Sequence, residues 1–479
     1  MGVSGSTSKS KTPVLAERLA AYASQLHFKE LPASTVLEVK RRIIDSIGCA
    51  LGALSVGSEP GKIAVEFAQL SKADKNGATV ITTTHQNTPD VAAFATGVLF
   101  RYLDFNDTYL SKEPAHPSDN IAPALAVAES EGRGGKDLIT AIALAYEIQC
   151  RLCDAASIRA RGWDHVTYGS FSAGLAAGKL MNLSPEQLVH AQGLAATPNN
   201  AMRQTRVGEL SNWKGCAFAN ASRNAVFAAM LAKLGMTGPS EIFEGEMAFW
   251  KQISGPFELP LLAGENGKSF DQFMINQTYV KHFPAEYHSQ SAIEAALELR
   301  DEIGADNIDT KIKSITIESF DAAVDIIAGF IEHWAPKSRE TADHSMPYCV
   351  SAALMDGDIN LDTFTESRIQ EPKLRALIQK VKVNRNAEMT AGYPDGIPNR
   401  IVIETTDGKT YTRENRYPLG HAKNPMQDAD IETKFRMQAE KMISKANADK
   451  LLALLWKIDE AESVTPVFTL LAQALQAGR

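Results

Sequence analysis

The stretch LPASTVLEVKRRIIDSIGCALGAL, residues 31–54, has the apolar periodicity of a helix that buries one face. Thr35 and Glu38 have the spacing of a capping box, which would begin the helix at that point. The apolar positions at helical spacing are Val39, Ile43, Ile44, Ile47 and Leu51. Comparable patterns cover residues 90–102, 121–131, 137–155, 170–182 and a segment that begins with a capping box at Ser184. The chain is therefore predicted to be mainly α-helical.

The apolar period changes in the second half of the chain, where KIKSITIES (311–319) alternates like a half-buried strand. VKVNR (381–385) is a second candidate strand, and RIVIETTDGKTYTREN (400–415) predicts a hairpin with a primed turn at Asp407 and Gly408. The helical pattern returns after this hairpin. We expect a flexible tail at residues 1–12, a large all-helical domain built from 13–269 and 418–479, and an inserted, smaller α+β lid domain at 270–417.

The composition excludes several classes of protein. With 44% hydrophobic and 22% charged residues, the 479-residue chain resembles an ordinary folded protein. No apolar run approaches the roughly 20 residues that cross a bilayer, so we expect no membrane association. A net charge of −8 without a basic cluster argues against nucleic acid as a partner. The five cysteines form an odd set without a disulfide framework, which predicts a reducing compartment, the cytoplasm.

Cys150 and Cys153 have a CxxC spacing, and with Cys49 they could supply three thiolates to an iron–sulfur cluster. We favour the alternative that residues 137–155 form one helix in which both cysteines fill the core, because a helix interior presents ligands poorly. The chain also lacks an HExxH pair, a nucleophile elbow and a dinucleotide fingerprint. The sequence therefore predicts neither a metal nor a cofactor.

A polar loop interrupts the predicted helices: LDFNDTYLSKEPAHPSDNIAPAL, residues 103–125. A loop held between buried helices exposes polar side chains in fixed positions, which a binding or catalytic site requires. Asp104 and His116 are therefore candidate site residues, although hydrogen bonds to the local backbone would explain them equally well. For Asp119 and Asn120 we favour capping of the next helix.

Further polar candidates lie beside Gly- and Ala-rich segments. Arg203, Arg206 and Lys214 fall within AMRQTRVGELSNWKG, and Lys281 precedes HFPAEYH. Any one of these cations alone would be an ordinary solvated charge, but several beside apolar packing predict a pocket for carboxylates. His165, in RGWDHVTYG, lies on a connection between helices next to an acid.

Several motifs, in order along nearly the whole chain, resemble the MmgE/PrpD family, which contains 2-methylcitrate dehydratases and cis-aconitate decarboxylases. The motifs are LDFNDTYLSKEPAHPSDN, GWDHV, NWKGCAFANASR, KHFPAEYHSQSAIEAA, ADHSMPYCVSAAL and YPLGHAKNP. The resemblance implies a helical domain made from both ends of the chain, an α+β lid and a homodimer.

The resemblance also implies which residues form the site. We expect His116 or His165 to exchange protons, Asp104 to orient its neighbour, and lysines to bind the carboxylates of a tricarboxylate substrate. Thr108, Arg203, Arg206 and His344 are predicted to assist in substrate binding. The residues that match family positions are Asp104, Thr108, His116, His165, Lys214, Lys281 and His344.

Within the family, FNDT, HPSDN and FPAEYHSQ favour the dehydratase branch, although Tyr109 stands where dehydratases have Trp, and RQTRVGELSNWKG and ADHS also differ. We therefore expect metal-independent dehydration of 2-methylcitrate by acid and base catalysis, with citrate as a further candidate substrate. One alternative is decarboxylation of cis-aconitate to itaconate in the same pocket. The other is a non-enzymatic, helical interaction protein whose polar loop only caps helices.

Overall fold

The computed structural model describes residues 14–73, 75–207 and 210–477 and is mainly helical, with 60% helix and 8% strand. The predicted tail at residues 1–12 lies outside the described residues. A two-stranded antiparallel sheet pairs β1 (Ala78–Thr79) with β2 (Gln86–Asn87). The α-helices of the first half are α1 (Leu15–Gln25), α2 (Ala33–Ser55), α3 (Glu59–Ala68), α4 (Pro89–Arg101), α5 (Ile121–Ser130), α6 (Gly135–Ala155), α7 (Gly169–Leu180), α8 (Pro185–Ala196) and α9 (Trp213–Lys233).

The second half contains the predicted sheet. Its strand order is β4-β3-β5-β6, with β4 parallel to β3 and the other pairs antiparallel. The strands are β3 (Ile312–Ser319), β4 (Val381–Arg385), β5 (Asn399–Thr405) and β6 (Thr410–Asn415). The helices are α10 (Gln290–Ile303), α11 (Ile308–Lys311), α12 (Asp321–Ile327), α13 (Arg339–Ala342), α14 (Met346–Asp356), α15 (Glu366–Ile369), α16 (Pro372–Ile378), α17 (Ala387–Gly392), α18 (Asp428–Ala439), α19 (Lys445–Trp456) and α20 (Thr465–Ala477).

The hairpin of β5 and β6 is confirmed, but the predicted primed turn is wrong. A type I′ turn needs a positive φ at both central residues, and of Asp407 and Gly408 only Gly408 has one, at 84°. The Gly408 N–H donates to the Thr405 carbonyl at 3.0 Å, and the Thr405 N–H donates to the Lys409 carbonyl at 2.9 Å. The hairpin is therefore closed by a glycine bulge.

Helix α2 begins at Ala33, two residues before Thr35. The prediction that Thr35 and Glu38 form a capping box is therefore wrong. Thr35 is buried inside the first turn. The Glu38 carboxylate accepts hydrogen bonds from Arg41 Nη1 at 2.6 Å and Arg42 Nη1 at 2.9 Å. Bonds between charged groups are stronger than those to the backbone, so the arginines retain this carboxylate.

Helix α18, which follows the sheet in the chain, packs against α2. Glycine leaves the necessary space, since a Cβ on Gly52 would lie 2.8 Å from Gln438 Oε1. At the same interface Lys434 Nζ lies 2.6 Å from Asp45 Oδ1, and both side chains are buried. This contact joins segments from the two ends of the described chain.

The two largest clusters of buried apolar side chains contain most of the core of the described residues. The larger draws on residues 15–280 and 426–475, and the smaller is built almost entirely from residues 279–403. Leu361 belongs to the larger cluster and Leu110 to the smaller, so each cluster includes a residue from the other part of the chain. The division into a helical domain and an α+β lid, with its boundaries, stays a prediction.

All five cysteines are buried, and Cys150 and Cys153 lie within α6 as predicted. Within the described ranges, no group of three or more His, Cys, Asp or Glu side chains is arranged to hold a metal ion. Among the helices of those ranges, none combines the length and apolarity required to cross a bilayer.

Candidate active site

The polar loop between α4 and α5 is folded around Asp104. Helix α4 ends at Arg101, and the chain turns at Asp104, whose φ of 49° lies in the left-handed region. Such a conformation costs a non-glycine residue about 1 kcal/mol or more, so other contacts must hold it. The Asp104 side chain is buried, and the loop returns to helix through a 3₁₀ turn at Pro117–Asn120.

The Asp104 carboxylate lies at the centre of a cluster of positive charges. Its Oδ1 accepts hydrogen bonds from Arg101 Nη1 and from Lys281 Nζ, the latter at 2.9 Å. Lys281 Nζ also donates to the Asp104 carbonyl oxygen at 2.6 Å. On the other side, Oδ2 lies 3.8 Å from Lys214 Nζ and 3.3 Å from His344 Nε2. Four of the predicted site residues therefore meet here, together with Arg101. We call Asp104, Arg101, Lys214, Lys281 and His344 the Asp104 cluster.

The cluster fixes the charge of its central carboxylate. Burial alone would raise the pKa of Asp104, because it disfavours the charged form. The positive charges of Arg101, Lys281 and Lys214 outweigh burial and hold the pKa of this carboxyl group well below its ordinary value. Asp104 is therefore ionised at neutral pH.

His344, between α13 and α14, forms a row with two neighbours. Its Nδ1 is hydrogen-bonded to Asp343 Oδ1, and its Nε2 lies 2.7 Å from Lys214 Nζ. Because a carboxylate only accepts, Nδ1 carries the proton of the bond to Asp343. Burial lowers the pKa of Lys214, although the charges of Asp104 and Asp343 act against this. The row Asp343–His344–Lys214 links the imidazole to the lysine that faces Asp104.

A narrow pocket opens beside the Asp104 cluster. Its walls come from the helical part of the chain and from the segment that precedes α14; the lining residues are 60, 101, 102, 104, 211, 212, 214 and 215 of the first and 340 and 343 of the second. The inner volume is about 30 Å³, which is room for one water molecule. A ligand with several carboxylates would need the two walls to move apart.

A pair of histidines lies next to this cluster, with ring centroids 5.8 Å apart in His116 and His165. His165 Nδ1 lies 3.0 Å from Asp164 Oδ1, and Arg206 Nε donates to Asp164 Oδ2 at 2.8 Å. His165 Nε2 is buried and has no hydrogen-bond partner among the described residues. This ring position is free to receive a proton.

The charge of Asp164 is fixed by its neighbours. Burial would raise the pKa of Asp164, but the charges of His165 and Arg206 outweigh burial and lower it. The carboxylate therefore stays negative at neutral pH.

His116 is held in one tautomer. Its Nδ1 is hydrogen-bonded to the Asp107 carbonyl oxygen at 2.8 Å, and since a carbonyl only accepts, Nδ1 carries the proton and Nε2 keeps a lone pair. Burial, followed by the charges of Arg101 and Lys281, lowers the pKa of His116 well below its ordinary value. His116 is therefore a neutral imidazole that feels the cations of the Asp104 cluster.

Other predicted residues have different surroundings. Thr108 is buried, but its hydroxyl donates to the Ala115 carbonyl at 3.2 Å. The partly exposed side chain of Arg203 makes no hydrogen bond or ion pair within the part of the chain that the structure describes. Arg206 is bound to Asp164, as described above. Substrate binding by Thr108, Arg203 and Arg206 stays a prediction, without a supporting contact for the first two.

Capping by Asp119 or Asn120 is wrong. Asn120 precedes α5, but its side chain makes no capping bond and donates instead to Gln149 Oε1 at 2.5 Å. Asp119 Oδ1 accepts from Asn106 Nδ2 at 2.9 Å. Both side chains point into the interior, where other buried polar groups bind them.

Two residues of the site were missed from the sequence. Arg101 is the last residue of the otherwise apolar end of α4, and a charge in that position was the available signal. Asp164 was noticed only as the acid next to His165. Both act by holding another charged side chain in place.

Comparison with known proteins finds relatives along most of the chain. A 2-methylcitrate dehydratase of Escherichia coli (strain K12) is 29% identical over 415 residues, which cover 80% of this chain and 81% of that protein. The cis-aconitate decarboxylase of Homo sapiens is 28% identical over 492 residues, which cover 95% of this chain and 94% of that protein. A mitochondrial 2-methylcitrate dehydratase of Yarrowia lipolytica is 28% identical over 465 residues, covering 90% and 85%. Since that relative is named as mitochondrial, a cytoplasmic location for this chain stays a prediction.

Both domains of one family match the sequence. The MmgE/PrpD N-terminal domain matches residues 17–262, and the MmgE/PrpD C-terminal domain matches residues 283–459. The two matched segments cover most of the 479 residues, in the order that the sequence motifs predicted. The chain therefore belongs to the MmgE/PrpD family.

Proposed function

We propose that this enzyme, a lyase by its family and its dehydratase relatives, dehydrates 2-methylcitrate to 2-methyl-cis-aconitate, with citrate as a further substrate. The observation that carries the proposal is the convergence of Arg101, Lys214 and Lys281 on one buried carboxylate beside two histidines. Several cations attract a substrate with several carboxylates. Imidazoles exchange protons near neutral pH.

The reaction breaks a C–H bond and a C–OH bond, forms a C=C bond and releases water. The C–H bond next to a carboxylate is weakly acidic, so a positioned base is required. His165 is suited to accept this proton at Nε2, because Asp164 beside Nδ1 stabilises the imidazolium that forms. Lysines near the substrate carboxylate stabilise the negative charge that develops as the proton leaves.

The departing hydroxide takes its proton from a second group. Lys214 is suited to this role, because burial lowers the pKa of its ammonium group and makes it a readier donor. His344, with Nε2 2.7 Å from Lys214 Nζ, holds the lysine in position for this transfer. His116, whose Nε2 is unprotonated, lies beside His165 and can carry the first proton away.

Substrate entry requires the pocket beside Asp104 to widen. Its walls belong to different predicted domains, with Asp343 on the α+β side and Lys214 on the helical side. We infer that residues 270–417 act as a lid, whose closure excludes water and strengthens the charge interactions. We also expect a homodimer, which light scattering would detect as twice the 52.0 kDa of the chain.

A second candidate function is decarboxylation of cis-aconitate to itaconate. The human relative named for cis-aconitate decarboxylation aligns over 95% of this chain, against 80% for the dehydratase of E. coli. In this reaction the C–C bond to a carboxylate breaks, CO₂ leaves, and the carbon that keeps the electron pair takes a proton. The same cations and histidines would serve it.

Product analysis by NMR tests both candidates. The purified protein is incubated separately with stereoisomers of 2-methylcitrate, with citrate and with cis-aconitate. We expect 2-methyl-cis-aconitate from one 2-methylcitrate isomer. Itaconate from cis-aconitate, without dehydration of 2-methylcitrate, would establish the second candidate instead. The absence of any product together with the absence of binding heat in calorimetry would contradict both.

A further inference from the structure

Asp119 is a buried carboxylate that the proposed reaction does not use. It is 4% exposed, and its Oδ1 accepts one hydrogen bond, from Asn106. Its Oδ2 is buried and has no hydrogen-bond partner in the described ranges of the chain. A cation lies just beyond bonding distance, since Arg101 Nε is 3.9 Å from this oxygen. A buried carboxylate oxygen without a partner is costly, so its presence calls for a reason.

Arg101 stands between two carboxylates. Its Nη1 donates to Asp104, and its Nε faces Asp119. A guanidinium group has donors at both positions, so it can bind two carboxylates at once. A shift of about 1 Å would bring Nε within hydrogen-bonding distance of Asp119. The two aspartates are therefore placed to compete for one arginine.

We propose that Asp119 is a positioning residue that sets, through Arg101, how strongly the Asp104 cluster holds an anionic substrate. The proposal rests on the function proposed above. When Asp119 is neutral, Arg101 is committed to Asp104, and the cluster keeps its surplus of positive charge. When Asp119 is ionised, it draws Arg101 away and adds a negative charge beside the substrate.

The surroundings of Asp119 make both states accessible at neutral pH. Burial raises the pKa of Asp119 to about 7; the charge of Arg101 acts against burial, Asp107 acts with it, and Arg206 acts against it. The helices packed against residues 117–120 bring further polar groups close by. Arg42 of α2 and Tyr146 of α6 both contact Asp107. Ser172 of α7 donates a hydrogen bond to Asn120, and Lys214 of α9 lies beside Asp104.

The consequence is a pH-dependent KM. As the pH rises through about 7, Asp119 ionises and the site becomes one charge more negative. A single charge within several ångströms of an anionic substrate weakens its binding about tenfold. The KM for 2-methylcitrate should therefore rise by about this factor, while kcat changes little, because Asp119 touches no reacting atom.

The test compares the wild type with Asp119→Asn between about pH 6 and pH 8. Asn is neutral at every pH and can still accept from Asn106, so its KM should lack the additional rise. The ratio of the two KM values cancels the ionisation of the substrate itself. If Asp119→Asn fails to fold, Asp119→Ser serves as a smaller neutral replacement. The matched control is Asp90→Asn, because Asp90 also faces an arginine across 3.8 Å, at the other end of α4.

A KM ratio that changes about tenfold with pH for Asp119→Asn, and not for Asp90→Asn, supports the proposal. A constant ratio overturns it, even if stability changes, since a merely structural role would not alter this profile. If no tricarboxylate is turned over or bound, the proposed function fails independently. Infrared difference spectra then decide: a carboxylic acid signal that titrates near neutral pH and disappears in Asp119→Asn supports a proton on Asp119, and its absence overturns the inference.

Discussion

Two buried lysines hold consecutive residues of the polar loop in very different surroundings. Lys281 Nζ donates to the Asp104 carbonyl at 2.6 Å, and Lys434 Nζ donates to the Phe105 carbonyl at 2.7 Å. Each also pairs with an aspartate: Lys281 with Asp104 at 2.9 Å, and Lys434 with Asp45 at 2.6 Å. By burial and by distance alone the two lysines could not be told apart.

The difference lies in the balance of charge around them. On the Lys434 side, Asp107 accepts from the Ser118 N–H at 2.9 Å and the Tyr146 hydroxyl at 2.7 Å, and Arg42 lies 3.5 Å away. Acids and bases alternate there, so their charges largely balance. On the Lys281 side, several cations share one carboxylate beside a pocket. A surplus of one sign around a shared carboxylate, rather than burial of charge as such, distinguishes the candidate site from a structural network.

The largest effect should come from the two aspartates of the loop. Asp104→Asn removes the charge that holds three cations in place, so we expect kcat/KM to fall about 10³-fold. Asp107→Asn should instead lower the unfolding free energy by about 2 kcal/mol, because Arg42 loses a nearby carboxylate. Steady-state kinetics and thermal unfolding of both variants measure this contrast. Equal kinetic losses in the two correctly folded variants would break the comparison.

The histidines extend the comparison to proton transfer. His165→Ala and His116→Ala should each lower kcat about 10²-fold or more, because each removes a proton acceptor from the site. His190→Ala is the control, since His190 Nδ1 is also bound to a backbone carbonyl, that of Gly238 at 3.1 Å, away from the Asp104 cluster. Near-normal turnover in either site variant would remove that histidine from the mechanism.

The lysines themselves should separate binding from stability. Lys434→Met leaves Asp45 buried without its cation, so we expect the unfolding free energy to fall by about 3 kcal/mol with kcat/KM nearly unchanged per folded molecule. Lys281→Met should raise the KM about tenfold or more, because it removes a cation from the substrate side. Denaturant unfolding and substrate titration give the two numbers. A large rise of the KM in Lys434→Met would contradict the assignment of Lys434 to stability and of Lys281 to substrate binding.

The helices and the sheet could be predicted from the sequence because their apolar periods are set locally by each segment. Details decided by competition between distant groups could not. Glu38 has capping-box spacing, yet two arginines of the same helix bind it. Asp119 and Asn120 stand where caps stand, yet Asn106 and Gln149 hold them. In each case the side chain binds a partner that the folded structure brings close, and it does not make the capping bond that its position in the sequence predicts.

Members of the candidate site could be predicted where polar residues interrupt apolar patterns. Asp104, His116 and Lys281 lie in such interruptions, and the resemblance to the family added His344. Arg101 escaped because a charge at a helix end is ordinarily solvated, and only the packing of α4 against its neighbours shows that it is buried. Single-sequence patterns reveal which residues are unusual, while their pairing depends on the tertiary structure.

The smallest expected effect concerns Asp119 and the pH dependence of stability. Its folded pKa, about 7, lies above that of an unfolded aspartate. Between these two values the folded protein holds a proton that the unfolded chain has released, so the unfolding free energy falls as the pH rises through this window and then levels off above about 7. Asp119→Asn has no such group. The unfolding free energy of the variant, relative to that of the wild type, should therefore rise by about 2 kcal/mol as the pH increases from about 5 to 8, as measured by denaturant unfolding. Asp107→Asn should show no comparable gain in unfolding free energy. A gain in Asp107→Asn, or the absence of a gain in Asp119→Asn, would contradict the assignment of the pH-sensitive carboxylate to Asp119.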